Sequence, residues 1–155
     1  PRAPAPPGCA AWGAGGGVGP RGPAAPGSGR SMPSGLGALA ADAGAAGQVH
    51  PWMSPDEEGG NVARLANVLG PLPSARQMAA QWSPARVQSS FTSHGSAMRS
   101  LGVTMDLAPV LDTANPTNTI ADENDRSFSE SGTVAASSGL AAGNGRRSSG
   151  QLAVA

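Results

Sequence analysis

The sequence predicts an α/β fold of repeated β/α units behind a low-complexity N-terminal stretch, and three observations carry that prediction. About half of residues 1–35 are Gly or Pro without the strict period of collagen. Such a composition cannot bury enough apolar surface to offset the entropy of ordering the chain, so residues 1–34 are expected to be disordered. From Ser34 onward helix signals alternate with apolar runs, the rhythm of a parallel sheet with crossover helices. Polar loops follow the apolar runs, where barrels of this kind place their chemistry.

Taken in order, residues 35–43 are Ala-rich with Leu36, Leu39 and Ala43 at helical spacing. With Ser34 as N-cap they predict a short helix bounded by Gly44 and Gly47. Residues 50–55 occupy the place of a buried strand, but Pro51 and Pro55 each remove a backbone donor that an interior strand must supply. An acidic loop, Asp56-Glu57-Glu58-Gly59-Gly60, comes next. Val62, Leu65, Val68 and Leu69 then predict an irregular or briefly helical segment closed by Gly70.

Beyond the breaker Pro71-Leu72-Pro73, residues 74–81 read as a helix capped by Ser74. The strongest helix signal follows: Ser83 as N-cap, Pro84 at the first helical position, Val87, Phe91, Met98 and Leu101 on one stripe, and Gly102 at the stop. Residues 103–107 predict a strand with Val103, Met105 and Leu107 on one side and Thr104 and Asp106 on the other, and Pro109 ends regular pairing. Residues 113–129 form a long polar loop, of the kind compact domains keep for function or leave disordered. A last helix is expected from about Gly132 to Leu140, after which residues 143–150 revert to linker composition.

Composition excludes more than it assigns. The formal net charge is zero, and all ten basic residues are Arg. Arg2, Arg21 and Arg30 are too scattered for the clustered basic face that nucleic acid requires. No stretch reaches the roughly 20 apolar residues of a membrane span. Cys9 stands alone and has no zinc spacing with His50 or His94. Gly8-Cys9-Ala10 has the letters of a lipid-attachment site, but no apolar run precedes it. The letters of a dinucleotide fingerprint over residues 17–22 are broken by Pro20 and lack a flanking strand and helix. No cofactor and no metal are expected, and composition leaves localisation open between cytoplasm and cell envelope.

A solvated acidic turn is the plain reading of a triplet such as Asp56-Glu57-Glu58. Three blocks read together point further: Asp56 to Gly60 with Val62 and Arg64, then Gly102 to Asp112 (GVTMDLAPVLD), then Asp125-Arg126-Ser127-Phe128. In this order and spacing they resemble the N-terminal barrel of glycoside hydrolase family 3, most closely its bacterial β-N-acetylhexosaminidase branch. The resemblance covers residues 35–143 and implies a partial (β/α)8 TIM barrel there. Residues 144–155 are expected to be a tail outside the family pattern, produced by a truncated or frameshifted reading frame. The family hydrolyses terminal β-linked sugars by a retaining route, in which a carboxylate attacks the anomeric carbon and an acid protonates the leaving oxygen.

The same resemblance maps Asp56, Arg64 and Arg126 onto residues that grip the terminal sugar. A carboxylate accepts hydrogen bonds from neighbouring hydroxyls, and a guanidinium offers a planar fork of donors. Gly59 and Gly60 would admit the ring. The implied partner is a small or cell-wall-derived saccharide. No catalytic residue is expected in this chain: the family's Lys-His-Phe-Pro-Gly-His-Gly segment and its nucleophilic Asp have no counterpart. Asp106 is expected to be a buried carboxylate satisfied by backbone or Arg, Asp112 a cap, and His94 a packing histidine on the face of Val87, Phe91 and Met98. Three readings follow, namely a glycosidase fragment, a non-catalytic sugar-binding relic, and a partly unfolded translation product without a role.

Overall fold

A computed structural model of the chain describes residues 32–47, 52–114 and 125–155. The expectations for most of the low-complexity stretch, Cys9, His50 and the middle of the 113–129 loop lie outside the described residues. The chain divides into two units after Pro51.

The first unit contributes helix α1, Met32–Ala45. It starts earlier than the expected cap, with Ser34 inside the helix. Pro33 sits in the first turn, where the missing N–H costs no intrahelical bond.

The second unit begins with the hairpin of β1, Glu57–Gly59, and antiparallel β2, Val62–Ala63. The turn needs its glycines. Gly59 and Gly60 have φ of 99° and 58°, and a Cβ on Gly59 would run into the Pro73 carbonyl oxygen. The short helix α2, Ala66–Leu69, stops at Gly70, φ 84°. Helix α3, Ala75–Gln81, opens on a reciprocal capping box: Gln77 N–H donates to Ser74 Oγ, and Ser74 N–H donates to Gln77 Oε1. Helix α4, Pro84–Ser100, is capped by Ser83 and buries the predicted stripe of Val87, Phe91 and Met98.

Strand β3, Met105–Asp106, is the centre of a small parallel ladder. On one side Met53 and Pro55 carbonyls accept from Met105 and Leu107 N–H groups, an ascending register on both chains. This edge is irregular: Met53 N–H turns to the Thr104 hydroxyl, and no regular strand forms over residues 52–55. On the other side β4, Leu152–Ala153, pairs parallel to β3. Parallel neighbours need crossovers. Helix α4 lies between the first segment and β3 in sequence, and helix α5, Gly132–Ser148, between β3 and β4.

Two expectations are corrected here. The last helix does not end near Leu140 but runs to Ser148, through the stretch expected to be linker, and β4 follows it. The glycines that looked like linker let two helices approach: a Cβ on Gly145 would sit 2.6 Å from the Gln88 carbonyl oxygen and 2.7 Å from Phe91 Cβ on α4. The apolar side of β3 is also less uniform than its pattern: Leu107, placed with Val103 and Met105, is 41% exposed, while Asp106 is buried as expected. An Arg from α5 meets the buried carboxylate, which makes its burial tolerable.

The core joins α3, α4 and α5 around Met78, Phe91, Phe128 and Ala142, with a smaller cluster of Leu65, Met98 and Val103 beneath the acidic hairpin. The described residues of the second unit thus form a mixed α/β arrangement with no closed barrel. No described helix is long and apolar enough to cross a membrane.

Candidate functional site

The acidic hairpin and the loop after β3 leave the same edge of the ladder, the edge of the strand C-termini. Its parallel pairing brings Pro55 to Leu107 and Glu57 to Asp106, and Arg126 of the 125–128 turn joins the group through Glu58.

Glu57 is the anchor of the hairpin and is fully buried. Its N–H donates to Asp106 Oδ1 at 3.0 Å, and its carbonyl accepts from Arg146 Nη2 at 2.8 Å. Its carboxylate accepts the Leu65 N–H at 2.7 Å and meets His94 Nε2 at 3.2 Å. Every polar group of Glu57 is therefore partnered, as its burial demands.

Behind Glu57 lies a buried ion pair. Arg146 Nε stands 2.7 Å from Asp106 Oδ2, both side chains being inaccessible to solvent. The guanidinium also lies over the Phe91 ring, 4.6 Å from its centroid, and Arg146 Nη1 donates to Met98 Sδ at 3.2 Å. Burial pushes the Asp106 carboxyl up to about 7, against the pull of Arg146 and of the Glu57 N–H. Burial likewise lowers Arg146, against the attraction of Asp106 and Glu57. Desolvation outweighs attraction on both partners, the usual balance for a buried pair. The sequence expectation for Asp106 holds, but Arg146 was missed as its partner. The only available signal was an Arg one position after Gly145 in what looked like linker.

At the outer face Arg126 forks onto Glu58, Nε to Oε2 at 2.9 Å and Nη2 to Oε1 at 2.7 Å. The arginine is held further above its ordinary pKa by that hydrogen-bonded carboxylate first, and then by the charges of Asp56 and Asp112. Glu58 alone contacts the guanidinium, and Asp56 and Asp112 act on it through their charge. Nη1 takes no part in the fork with Glu58. The neighbouring Ser127 hydroxyl donates to the Asp112 carbonyl, and Phe128 is buried in the main core.

The predicted trio is placed as follows. Asp56 is half-buried at the start of the hairpin, within electrostatic reach of Arg126. Arg64 comes back beside it along the backbone, its N–H donating to the Asp56 carbonyl at 3.3 Å. The Arg64 side chain is exposed, and among the described residues no ion pair joins it to Asp56. Arg126 is tied to the hairpin through Glu58, a residue to which sequence reading gave no separate role. His94 lies on the expected face of α4 and has gained a partner in Glu57. Asp112 is exposed.

An acidic hairpin at the C-terminal edge of parallel strands, braced by an arginine from a later loop, forms the candidate site of a mixed α/β unit. The chain belongs to glycosyl hydrolase family 3: the description of that family's N-terminal domain matches residues 40–155. The match runs through residues 144–155, so the family pattern does not break at Gly139–Gly143. The chain is 40% identical over 121 residues to the β-hexosaminidase LpqI of Mycobacterium tuberculosis, covering 76% of this chain and 30% of that protein. Among solved structures, a family 3 glycosyl hydrolase of Mycobacterium smegmatis matches with TM-score 0.63 and 38% identity, over 68% of this chain and 32% of the other. The β-N-acetylhexosaminidase of Beutenbergia cavernae matches with TM-score 0.65 and 30% identity, over 78% and 38% respectively. The chain therefore spans about a third of the length of these relatives.

Proposed function

We propose that this chain is the sugar-holding segment of a retaining β-N-acetylhexosaminidase-like glycosidase, folded as part of a (β/α)8 barrel. Asp56, Arg64 and Arg126 bind the terminal sugar, and the groups that break the bond are not among the residues of this chain. The observation that carries the proposal is the Glu58–Arg126 fork, which orients a guanidinium within electrostatic reach of Asp56. A carboxylate next to an oriented guanidinium matches adjacent hydroxyls with acceptors and ring substituents with donors. The likeness to relatives named as β-hexosaminidases points to an N-acetylhexosaminide.

The absence of a nucleophile in this segment is supported by the carboxylates themselves. Retaining enzymes keep two carboxyl groups about 5 Å apart around the scissile bond. Asp106 is sealed and paired to Arg146, and Asp112 is exposed on the following loop. Neither is set to attack an anomeric carbon.

The test is a titration of the chain with N-acetylglucosamine, followed by backbone amide spectra. Shifts confined to residues near Asp56, Arg64 and Arg126, and lost in Asp56→Ala, are the expected result. A dispersed spectrum that ignores the sugar would remove the carbohydrate reading. An undispersed one would favour the partly unfolded product instead.

A further inference from the structure

Arg146 is an expensive way to fill space. A guanidinium with no solvent exposure carries a desolvation penalty of several kcal/mol that a Met or Leu of similar volume would not. The contact of α4 with α5 has no need of a cation, and the neighbouring Arg147 points to solvent, being exposed. What the guanidinium reaches, and an aliphatic chain could not, is the Glu57 carbonyl and the Asp106 carboxylate.

Those two contacts act on one residue. Asp106 holds the Glu57 N–H, which belongs to the peptide plane shared with Asp56. Arg146 holds the Glu57 carbonyl, which belongs to the plane shared with Glu58. A peptide unit is rigid and planar, so clamping both planes fixes the directions in which Asp56 and Glu58 leave the chain. Glu58 in turn orients Arg126. The side chain of Glu57 is tied independently, to His94 on α4 and to the Leu65 N–H ahead of α2.

We propose that Arg146 is the positioning residue of the acidic hairpin: from α5, with Asp106, it sets the peptide planes on either side of Glu57 and so aims Asp56 and the Glu58–Arg126 fork. The assignment rests on the sugar-holding reading of that hairpin, and it concerns a residue that touches no sugar. Beyond the loss of overall stability that a stranded Asp106 brings, removal of Arg146 should loosen the hairpin more than the rest of the core.

The experiment uses the whole chain and the variants Arg146→Met and Arg146→Lys. Two signatures are read without sugar: amide exchange at Glu57 relative to the buried core residues Met78 and Val87, and the carbonyl carbon shift of Glu57. A third is the affinity for N-acetylglucosamine. In R146M the Glu57 amide should exchange at least tenfold faster relative to the two core amides, the carbonyl shift should move, and affinity should fall at least tenfold. R146K offers a point charge instead of a fork and should fall between, with affinity lowered at least threefold.

Glu57 exchange that keeps pace with Met78 and Val87 in R146M overturns the positioning role, whatever the sugar does. If R146M does not fold, R146K decides, and unchanged exchange and carbonyl shift there overturn it. Wild-type chain that ignores the sugar while R146M frees Glu57 would sink the carbohydrate reading and leave the clamp standing.

Discussion

Arg126 and Glu58, from loops far apart in sequence, meet through two parallel N–H···O contacts of 2.9 Å and 2.7 Å. The fork spends Nε and Nη2 on orientation and leaves Nη1 outside it. Glu58→Gln keeps the size but supplies only one acceptor, so the guanidinium loses its planar partner. Sugar affinity is expected to fall about tenfold in E58Q and further in Arg126→Ala. Arg126 is partly exposed but Glu58 is buried, so Arg126→Ala, which strands a buried carboxylate, should lower thermal stability more than E58Q does. Paired titrations and melts of the two variants check this.

Asp106 links folding to pH. Its carboxyl is raised from 3.8 to about 7 in the folded chain, so the folded state holds the proton more tightly than the unfolded one. The sign follows: this group favours folding fully below its unfolded value, and that contribution is lost as pH rises from about 4 to 7. Arg146, Glu57 and Asp56 are the charges that act on it. Denaturant melts across that range should show stability declining, and Asp106→Asn should flatten the slope. An unchanged slope in D106N would rule out Asp106 as its source.

The buried pair should also be strongly non-additive. Arg146→Met alone strands a buried carboxylate and is expected to cost about 3–5 kcal/mol. Adding Asp106→Leu removes the stranded charge and should recover a large part of that loss. The double-mutant cycle, measured by denaturant unfolding, reads the coupling directly.

Two glycines of α5 should respond in opposite directions. A Cβ on Gly145 would press on the α4 backbone at 2.6 Å, whereas nothing lies within 4 Å of one on Gly143. Gly145→Ala should therefore destabilise by about 1–3 kcal/mol through overpacking. Gly143→Ala should stabilise by roughly 0.5–1 kcal/mol, since it lowers the entropy lost on forming the helix. Melting temperatures of the two variants decide it.

Much of the second unit was legible because its signals are local. Ser74 and Ser83 cap the helices they were expected to cap, and Val87, Phe91 and Met98 are the buried stripe of α4. The motif blocks around Asp56, Gly102 and Arg126 identified the family, which the match over residues 40–155 shows. What misled was equally local: Gly143-Asn144-Gly145 has linker composition, and helix propensity alone would end α5 before it.

Sequence by itself determined the caps, the apolar stripe and the family, since each depends on residues close together in the chain. Only the tertiary structure decided that α5 continues to Ser148, that Arg146 is buried against Asp106, and that Glu58 holds Arg126. The physical reason is that these outcomes depend on partners distant in sequence. A glycine becomes a helix contact only when another helix needs to come close, and an arginine becomes a core residue only when a carboxylate and a carbonyl wait for it there.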